Sequence, residues 1–262
     1  MANSQLDLLT DDRLRAALGS RQFRLYPEVG STNDLAREWA SNGAAEGSVV
    51  LAEEQHGGRG RFGRAWFAPA GTALLMSVIL RPVVDAASLS RVTMLAAVSV
   101  AETIESRLSP QAHALGLKWP NDVQVAGKKV CGILPEAVWL GERAEFVVLG
   151  IGLNVRIDFA GSPVQTTAIS LEPLTSQPID RAELLAALLV RIEAWLPQLH
   201  APGLWHAWRN RLVTLGEQVT AHSASGAISG EAVDVDESGA LLLRLADSTI
   251  RRVVAGEVTL AK

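Results

Sequence analysis

The sequence predicts an α+β fold in which a large domain of strands and helices precedes a small all-β domain. Three observations lead to this prediction. Apolar residues recur at helical spacing around residues 89–108 and 184–192. Apolar runs of strand length, such as 72–81 and 146–155, lie between these stretches, and only short β-type runs with turns follow Leu215. At 262 residues, the chain can hold one sizeable core and a small second domain.

The composition is typical of a globular protein without disulfide bonds. Apolar residues make up 48% of the chain and charged residues 20%, which disordered chains do not show. The net charge of −4 argues against a protein that coats nucleic acid. Cys131 is the single cysteine, which fits a reducing compartment. Because the acidic start does not resemble a secretory signal and no apolar run reaches membrane-spanning length, we expect a cytoplasmic protein with no membrane or nucleic-acid partner.

Helix and strand signals follow one another through the larger domain. Thr10 is expected to cap a short first helix that ends at Gly19. Ser31 or Thr32 is expected to cap a second helix, and Asp180 begins a later one with the spacing of a capping box. The strands predicted for this domain include Phe23–Val29, Ser48–Glu54, Thr72–Arg81 and Phe146–Val155.

The stretch from Lys118 to Leu134 predicts a hairpin that carries charged side chains. Asn121 and Asp122 stand where an apolar run meets a turn, and Lys129 begins the returning strand after Ala126-Gly127. Such a hairpin can hold Asp122 and Lys129 on one side of a cleft, where an acid and a base would serve a phosphate and its metal. Taken alone, it could equally be an exposed hairpin with solvated charges.

Residues 55–66 predict a loop that binds anions. Its glycines let successive backbone N–H groups form a concavity, and its arginines add planar groups suited to phosphate and carboxylate. The spacing matches neither a P-loop nor a dinucleotide fingerprint. On its own, the loop could also be a flexible basic segment or an arginine-glycine segment that contacts RNA. Its glycines and arginines are Gly57, Gly58, Arg59, Gly60, Arg61, Gly63 and Arg64.

Five blocks together resemble the biotin–protein ligases, also called biotin–[acetyl-CoA-carboxylase] ligases, and occur in that family's order. The blocks are Ser31-Thr32-Asn33, Gly58–Arg64, Lys118–Asp122, Lys129-x-x-Gly132-Ile133-Leu134 and Gly150-x-Gly152-x-Asn154-Val155. The resemblance implies a class II synthetase-like catalytic domain at residues 1–212, with a mixed central sheet and flanking helices, and an SH3-like barrel at 213–262. Some relatives carry an N-terminal DNA-binding domain, and the sequence before Ser31 is short for one, so we expect the form without it.

The resemblance implies an enzyme that activates biotin with ATP and then transfers it to protein. Biotin's carboxylate would attack the α-phosphorus of ATP, which gives biotinyl-5'-AMP and releases pyrophosphate. A lysine of the biotin carboxyl carrier protein domain of an acyl-CoA carboxylase would then accept biotin. Mg²⁺ is expected to be held mainly by the ATP phosphates, with Asp122 as a candidate ligand. The catalytic residues implied are Lys129, Arg61 and Asp122.

The resemblance also assigns the residues that contact the ligands. Those expected to bind biotin are Ser31, Thr32, Asn33, Gln55, Gly58, Arg59, Gly60, Arg61, Trp66, Lys129 and Gly132. Those expected to bind ATP or the adenylate are Arg59, Arg61, Arg64, Lys118, Asn121, Lys129 and Asn154. Short polar side chains at a helix N-terminus also suit the ureido group of biotin, which carries N–H donors and a carbonyl.

The sequence departs from the family pattern at three positions, and other functions stay open. Phe62 stands where relatives often have a basic residue, and Cys131 where a small residue is usual. Pro135 cannot donate to a ladder, so its strand should be at an edge or bulged there. The alternatives are a lipoate- or octanoate-protein ligase or transferase, a non-catalytic biotin sensor, and an RNA-binding arginine-glycine protein. The acidic balance weighs against the last of these.

Overall fold

A seven-stranded sheet forms the centre of the molecule. The computed structural model describes residues 7–109, 114–223, 226–254 and 256–260. The strands of this sheet are β1 (Phe23–Val29), β2 (Val49–Gln55), β3 (Ala73–Leu80), β4 (Leu115–Lys118), β5 (Asp122–Val125), β6 (Lys128–Leu140) and β7 (Arg143–Asn154). Their order is β1-β2-β3-β7-β6-β5-β4, in which β1 and β2 are parallel and the other neighbours are antiparallel. The predicted mixed sheet is therefore confirmed.

Helices cover both faces of this sheet. They are α1 (Asp11–Leu18), α2 (Thr32–Ser41), α3 (Ser90–Glu105), α4 (Arg181–Trp195) and α5 (Pro202–Arg209). Since strand side chains alternate between faces, Val49 and Leu51 join the core under α3 and α4, whereas Val50 packs with α2 on the opposite face. With both faces covered, β3 is buried at every position, as its continuous apolar run predicts.

All three predicted helix caps occupy the N-cap position, but only two of them make a side-chain capping bond. The Thr10 hydroxyl accepts a backbone N–H from the first turn of α1, which Gly19 ends, and the Asp180 carboxylate accepts two in α4. Ser31 occupies the N-cap position of α2, yet neither its side chain nor that of Thr32 makes a capping bond within the described chain. The Thr32 hydroxyl instead contacts side chains of β2 and β3, because this helix end faces the interior.

The predicted hairpin forms between β5 and β6. Ala126 and Gly127 both have positive φ, 52° and 73°, as a two-residue hairpin turn requires. β5 pairs with residues 128–132 of β6. Among the described strands, Pro135 therefore meets one on its β7 side alone, and the predicted local edge is confirmed. Cys131 is buried in the core, where burial raises the pKa of its thiol far above the usual range.

A five-stranded antiparallel sheet follows the helices. Its strands are β8 (Gln218–Ser223), β9 (Gly226–Val235), β10 (Leu241–Arg244), β11 (Ile250–Val253) and β12 (Glu257–Leu260). They lie in the order β11-β10-β9-β8-β12, and every pair of neighbours is antiparallel. The predicted α+β class with a small C-terminal β unit is confirmed.

The segment between α5 and β8 runs beside the central sheet. The Leu117 N–H donates to the Arg211 carbonyl at 2.8 Å, and the Val213 N–H donates to the Leu117 carbonyl at 2.9 Å. This segment therefore extends the β4 edge, and the domain boundary at residues 212–213 stays a prediction. No helix in the described part of the chain is long and apolar enough to cross a membrane.

Candidate active site

A cavity of about 910 Å³ opens beside the end of β2, the start of α2 and the strands β5, β6 and β7. The loop of residues 57–66 and the turn between β4 and β5 form its rim. Every site residue that the sequence predicts lines this cavity, except Gly58. A carbon added at Gly58 would lie 3.0 Å from the Trp66 carbonyl oxygen, so this glycine lets the two ends of the loop pass closely. Predicted residues that lie between Ser31 and Asn154 in the sequence thus converge on one site.

Hydrogen bonds join the start of α2 to the neighbouring strands. The Gln55 side-chain oxygen accepts from the Thr32 backbone N–H at 2.7 Å and from its hydroxyl at 3.1 Å. This satisfies one of the N–H groups that a helix N-terminus leaves without an intrahelical acceptor. Ser77, in the middle of β3, lies 2.8 Å from the Thr32 hydroxyl. The wall predicted to contact biotin is therefore held rigid by its own polar side chains.

Asn33 is used mainly to hold this wall together. Its amide nitrogen donates to the Glu136 carboxylate at 2.7 Å and to the Leu134 carbonyl at 3.3 Å, and its oxygen accepts from Ser77 at 2.6 Å. Its exposure is 4%, and a carbon added at Gly150 would lie 2.4 Å from its oxygen. Asn33 lines the cavity, but its direct contact with biotin stays a prediction.

The Trp66 ring forms an aromatic wall over two strands that carry glycine. A carbon added at Gly152 would lie 2.6 Å from this ring, and one added at Gly132 would lie 2.7 Å from it. The strands thus present bare backbone to the indole. The indole N–H is buried and has no hydrogen-bond partner among the residues that the structure describes. An unpartnered buried donor beside a cavity suits a ligand that carries an acceptor.

Lys129 and Asp122 form the ion pair that the hairpin predicts. The Lys129 ammonium lies 2.6 Å from the Asp122 carboxylate and 5.4 Å from the centre of the Trp66 ring. The segment after β7 fixes the backbone at Lys129, whose N–H donates to the Thr167 carbonyl at 2.8 Å and whose carbonyl accepts from the Ile169 N–H at 3.0 Å. A positive and a negative group therefore stand together at the cavity wall, close to an aromatic surface.

The three arginines of the loop point in different directions, whereas the sequence assigns them all to phosphate. Arg59 makes two hydrogen bonds to the Asp34 carboxylate, at 2.8 and 2.6 Å, and lies 3.8 Å from Glu136. This hydrogen bonding lowers the pKa of Asp34 below its usual value. Arg64 pairs with Glu257 of β12. In this conformation both arginines therefore face carboxylates of the protein.

Arg61 is the loop arginine that faces the cavity interior. Burial is the main influence on its guanidinium and lowers its pKa, while Asp122 and Glu257 act in the opposite direction. Its nitrogen lies 3.5 Å from the side-chain oxygen of Asn121. The Asn121 amide in turn donates to the Ile133 carbonyl at 2.8 Å, which holds the turn between β4 and β5 against β6.

Asn154 and Lys118 complete the predicted set. The Asn154 amide donates to the Ile169 carbonyl at 3.1 Å and to the Lys129 carbonyl at 3.3 Å, so it braces the segment beside Lys129. To recognise adenine with both its oxygen and its nitrogen, the Asn154 side chain would need its N–H groups, which donate to backbone carbonyls here. Its contact with adenine therefore stays a prediction. Lys118 lines the cavity.

Sequence reasoning missed four residues that shape the site, namely Ser77, Glu136, Thr167 and Glu257. Ser77 had a signal, because it is a lone polar residue within an apolar strand that is buried throughout. The other three look like ordinary surface residues in the sequence, and their partners are far along the chain. Within the described ranges, no cluster of three or more His, Cys, Asp or Glu side chains could hold a metal.

Comparisons with known proteins agree with this geometry. The model of the Biotin/lipoate A/B protein ligase family matches residues 26–154, and that of the Biotin protein ligase C terminal domain matches residues 214–260. A Mycobacterium tuberculosis protein named biotin--[acetyl-CoA-carboxylase] ligase is 36% identical over 255 residues, which cover 95% of this chain and 93% of that protein. The bifunctional ligase/repressor BirA of Bacillus subtilis is 32% identical over 261 residues, with 96% and 79% covered.

The fold has solved counterparts. The biotin protein ligase from Aquifex aeolicus in complex with biotin and ATP has a TM-score of 0.76 and 28% sequence identity, and the match covers 92% of this chain and 99% of that one. Both sheets and the motifs between residues 31 and 155 thus have the same relatives, which confirms the resemblance found in the sequence. This chain belongs to the biotin–protein ligase family.

Proposed function

We propose that this protein is an ATP-dependent biotin–protein ligase. One observation carries the proposal. A single cavity joins an aromatic wall at Trp66 to the Lys129–Asp122 pair and to the half-buried Arg61. An apolar bicyclic acid can lie against such a wall, while its carboxylate and a phosphate ester are held by the adjoining cations. The names of the M. tuberculosis relative and of the A. aeolicus complex support the same chemistry.

In the first step, a carboxylate oxygen of biotin bonds to the α-phosphorus of ATP, and the bond from phosphorus to the leaving pyrophosphate oxygen breaks. Two anions must meet, and negative charge gathers on the phosphate oxygens. Lys129 and Arg61 provide fixed positive charge at this place, and burial of Arg61 strengthens its effect because water screens it less. The product is biotinyl-5'-AMP.

The site fits Mg²⁺ that arrives with ATP better than a metal held by protein alone. Mg²⁺ commonly binds through one or two carboxylates together with substrate phosphates. Asp122, Glu217 and Glu257 are the Asp and Glu residues that line the described cavity, and Asp122 lies beside Lys129. Bound there, the ion would supply positive charge to the phosphate oxygens. The requirement for Mg²⁺ is part of the proposal.

In the second step, a lysine amine of a carrier protein attacks the acyl carbon of the adenylate. The new amide bond forms as the bond to the phosphate oxygen breaks, AMP leaves, and the amine loses a proton. Asp122 lies beside the cavity and can orient this amine, since a carboxylate accepts hydrogen bonds from an ammonium group. We propose a biotin carboxyl carrier domain of an acyl-CoA carboxylase as the acceptor, in the cytoplasm.

The loop of residues 57–66 is proposed to shield the adenylate from water. The mixed anhydride hydrolyses readily, so the site needs a cover once it forms. Arg59 and Arg64 hold the loop at its two ends, through Asp34 and Glu257. Hydrogen exchange should therefore slow in this loop when biotin and ATP are added. Equal exchange with and without the ligands would contradict the role of a cover.

Mass spectrometry of a carrier domain incubated with this protein, biotin, ATP and Mg²⁺ tests the function. We expect one lysine to gain the mass of biotin, and no gain without ATP. Lipoate and octanoate are tested in parallel, because relatives of this fold act on other acids. Transfer of those acids instead of biotin, or tight biotin binding with no transfer, would refute the proposal.

A further inference from the structure

Trp119 connects the turn that carries Asp122 to the C-terminal sheet. Its side chain is 2% exposed, and its indole N–H donates to the Gly239 carbonyl at 2.8 Å. Its backbone N–H donates to the Thr214 hydroxyl at 2.9 Å, and Thr214 is also buried. Both acceptors lie after the last helix, more than ninety residues along the chain. The motif residue between Lys118 and Asn121 is thus held by the C-terminal part of the protein.

The turn that receives the indole is itself fixed on the larger domain. The Ser90 hydroxyl donates to the Ser238 carbonyl at 2.5 Å, and the Trp205 indole donates to the Asp236 carbonyl at 2.9 Å. Gly239 has a φ of +82°, and a carbon added there would lie 2.6 Å from Met94 of α3. The turn therefore sits tightly against α3 and α5, and it can serve as a fixed point for Trp119.

Asp122 follows Trp119 by three residues, so the position of one limits the other. Lys118 pairs with Asp122 in the β4–β5 ladder, which closes the short turn between them. On the far side, Asn121 is bonded to the Ile133 backbone of β6. The turn is thus held on one side by β6, through Asn121, and on the other by the C-terminal part of the chain, through Trp119.

We propose that Thr214 is a positioning residue, which acts through Trp119 to set the place of the Asp122 carboxylate in the cavity. The inference rests on the proposed ligase function. The segment between α5 and β8, together with the Gly239 turn of the C-terminal sheet, then contributes to catalysis by locating an acidic group of the larger domain. Thr214 has the chemistry for this role, because its hydroxyl oxygen is the acceptor for a backbone N–H that burial separates from water.

Thr214→Val is the variant that tests this inference. Valine has the shape of threonine but lacks the acceptor, so the Trp119 N–H is left without its partner. We expect kcat for carrier biotinylation to fall about tenfold, as for loss of one buried hydrogen bond, with the KM for biotin unchanged. Thr214→Ser retains the hydroxyl and should restore kcat. Val258→Ala removes buried side-chain atoms of β12 in the C-terminal sheet and should leave kcat unchanged in folded protein.

A double-mutant cycle with Asp122→Asn separates positioning from general loosening. If Thr214 acts through Asp122, the effect of Thr214→Val should shrink towards none in the Asp122→Asn protein. Equal effects in both backgrounds, or an equal loss in Val258→Ala, would overturn the inference. Trp119→Phe, which removes the indole N–H together with part of the buried ring, takes the place of Thr214→Val in this cycle if that protein does not fold. The wild-type protein is assayed in parallel. Its activity tests the proposed ligase function, whereas the differences between variants test the role of Thr214.

Discussion

Replacement of Gly152 by alanine tests whether Trp66 forms the wall of the biotin site. An added methyl carbon would lie 2.6 Å from one ring atom of Trp66 and 2.8 Å from the next, whereas ordinary contacts begin at 3.4 Å. The indole is rigid, so the whole ring has to move outward. Gly152 lies in β7 without a positive φ, so alanine adds bulk there without straining the backbone.

The size of the effect of Gly152→Ala depends on whether the Trp66 ring can move away from the added methyl group. Overpacking costs ~1–3 kcal/mol in a site that cannot expand. Trp66 is half-buried and belongs to the loop, so it can swing away, and the cost then appears as a lost ligand contact. We expect the dissociation constant for biotin to rise about 5- to 150-fold. The melting temperature should change little by comparison.

Titration calorimetry of biotin binding provides the assay, with Gly203→Ala as the matched control. Gly203 lies in α5, where an added carbon would meet no atom within 4 Å from the described residues outside that helix. Alanine there should leave biotin binding unchanged and stability equal or higher. Trp66→Phe in the Gly152→Ala protein removes the ring atoms that clash, so the two effects should be less than additive. Unchanged biotin affinity in Gly152→Ala would refute the reasoning.

Three further predictions concern charge. Lys129→Ala should reduce biotin-dependent pyrophosphate release by ~10²-fold or more without unfolding the protein, and unchanged release would remove Lys129 from the first step. Hydrogen bonding from Arg156 lowers the pKa of Glu172 below 4.5, so this carboxylate stabilises the fold above pH 4.5 and its contribution is lost as pH falls through the lowered pKa. Glu172→Gln should therefore make the unfolding midpoint depend less on pH in that acid range, as urea titrations at several pH values would show. Glu53→Ala should destabilise the protein by ~3–5 kcal/mol, because it leaves the fully buried Arg181 without its carboxylate at 2.9 Å, and a loss near zero in denaturant unfolding would contradict this.

Local patterns explain most of what could be predicted about the fold. A hydroxyl or carboxylate before an apolar helical repeat marks the starts of α1 and α4, because it can accept the first N–H groups of the helix. The juxtaposition of Lys129 and Asp122 is also local, since a two-residue turn sets the register of the hairpin that carries both. These features depend on residues near one another in the chain, so the sequence contains them.

The partners of the loop arginines and of Trp119 were not predictable in the same way. Arg59 and Arg64 look alike in the sequence, yet one meets Asp34 and the other meets Glu257. Which carboxylate an arginine reaches depends on how distant strands and helices pack. A guanidinium group binds a phosphate and a carboxylate through the same paired hydrogen bonds, so the residue type does not show which of the two it will contact.

Patterns in the sequence were enough to predict the α+β class and the order of the motifs, because periodicity and turn residues act over short distances along the chain. The resemblance to the biotin–protein ligases, carried by those motifs, supplied the residues expected to meet at one cavity. The three-dimensional structure was needed to see which polar groups are already used within the protein, as at Asn33 and Asn154, and which remain directed at a ligand. It also revealed that Thr214 holds the turn before Asp122. Such assignments depend on hydrogen-bond distances of about 3 Å between elements far apart in the chain, and packing alone sets those distances.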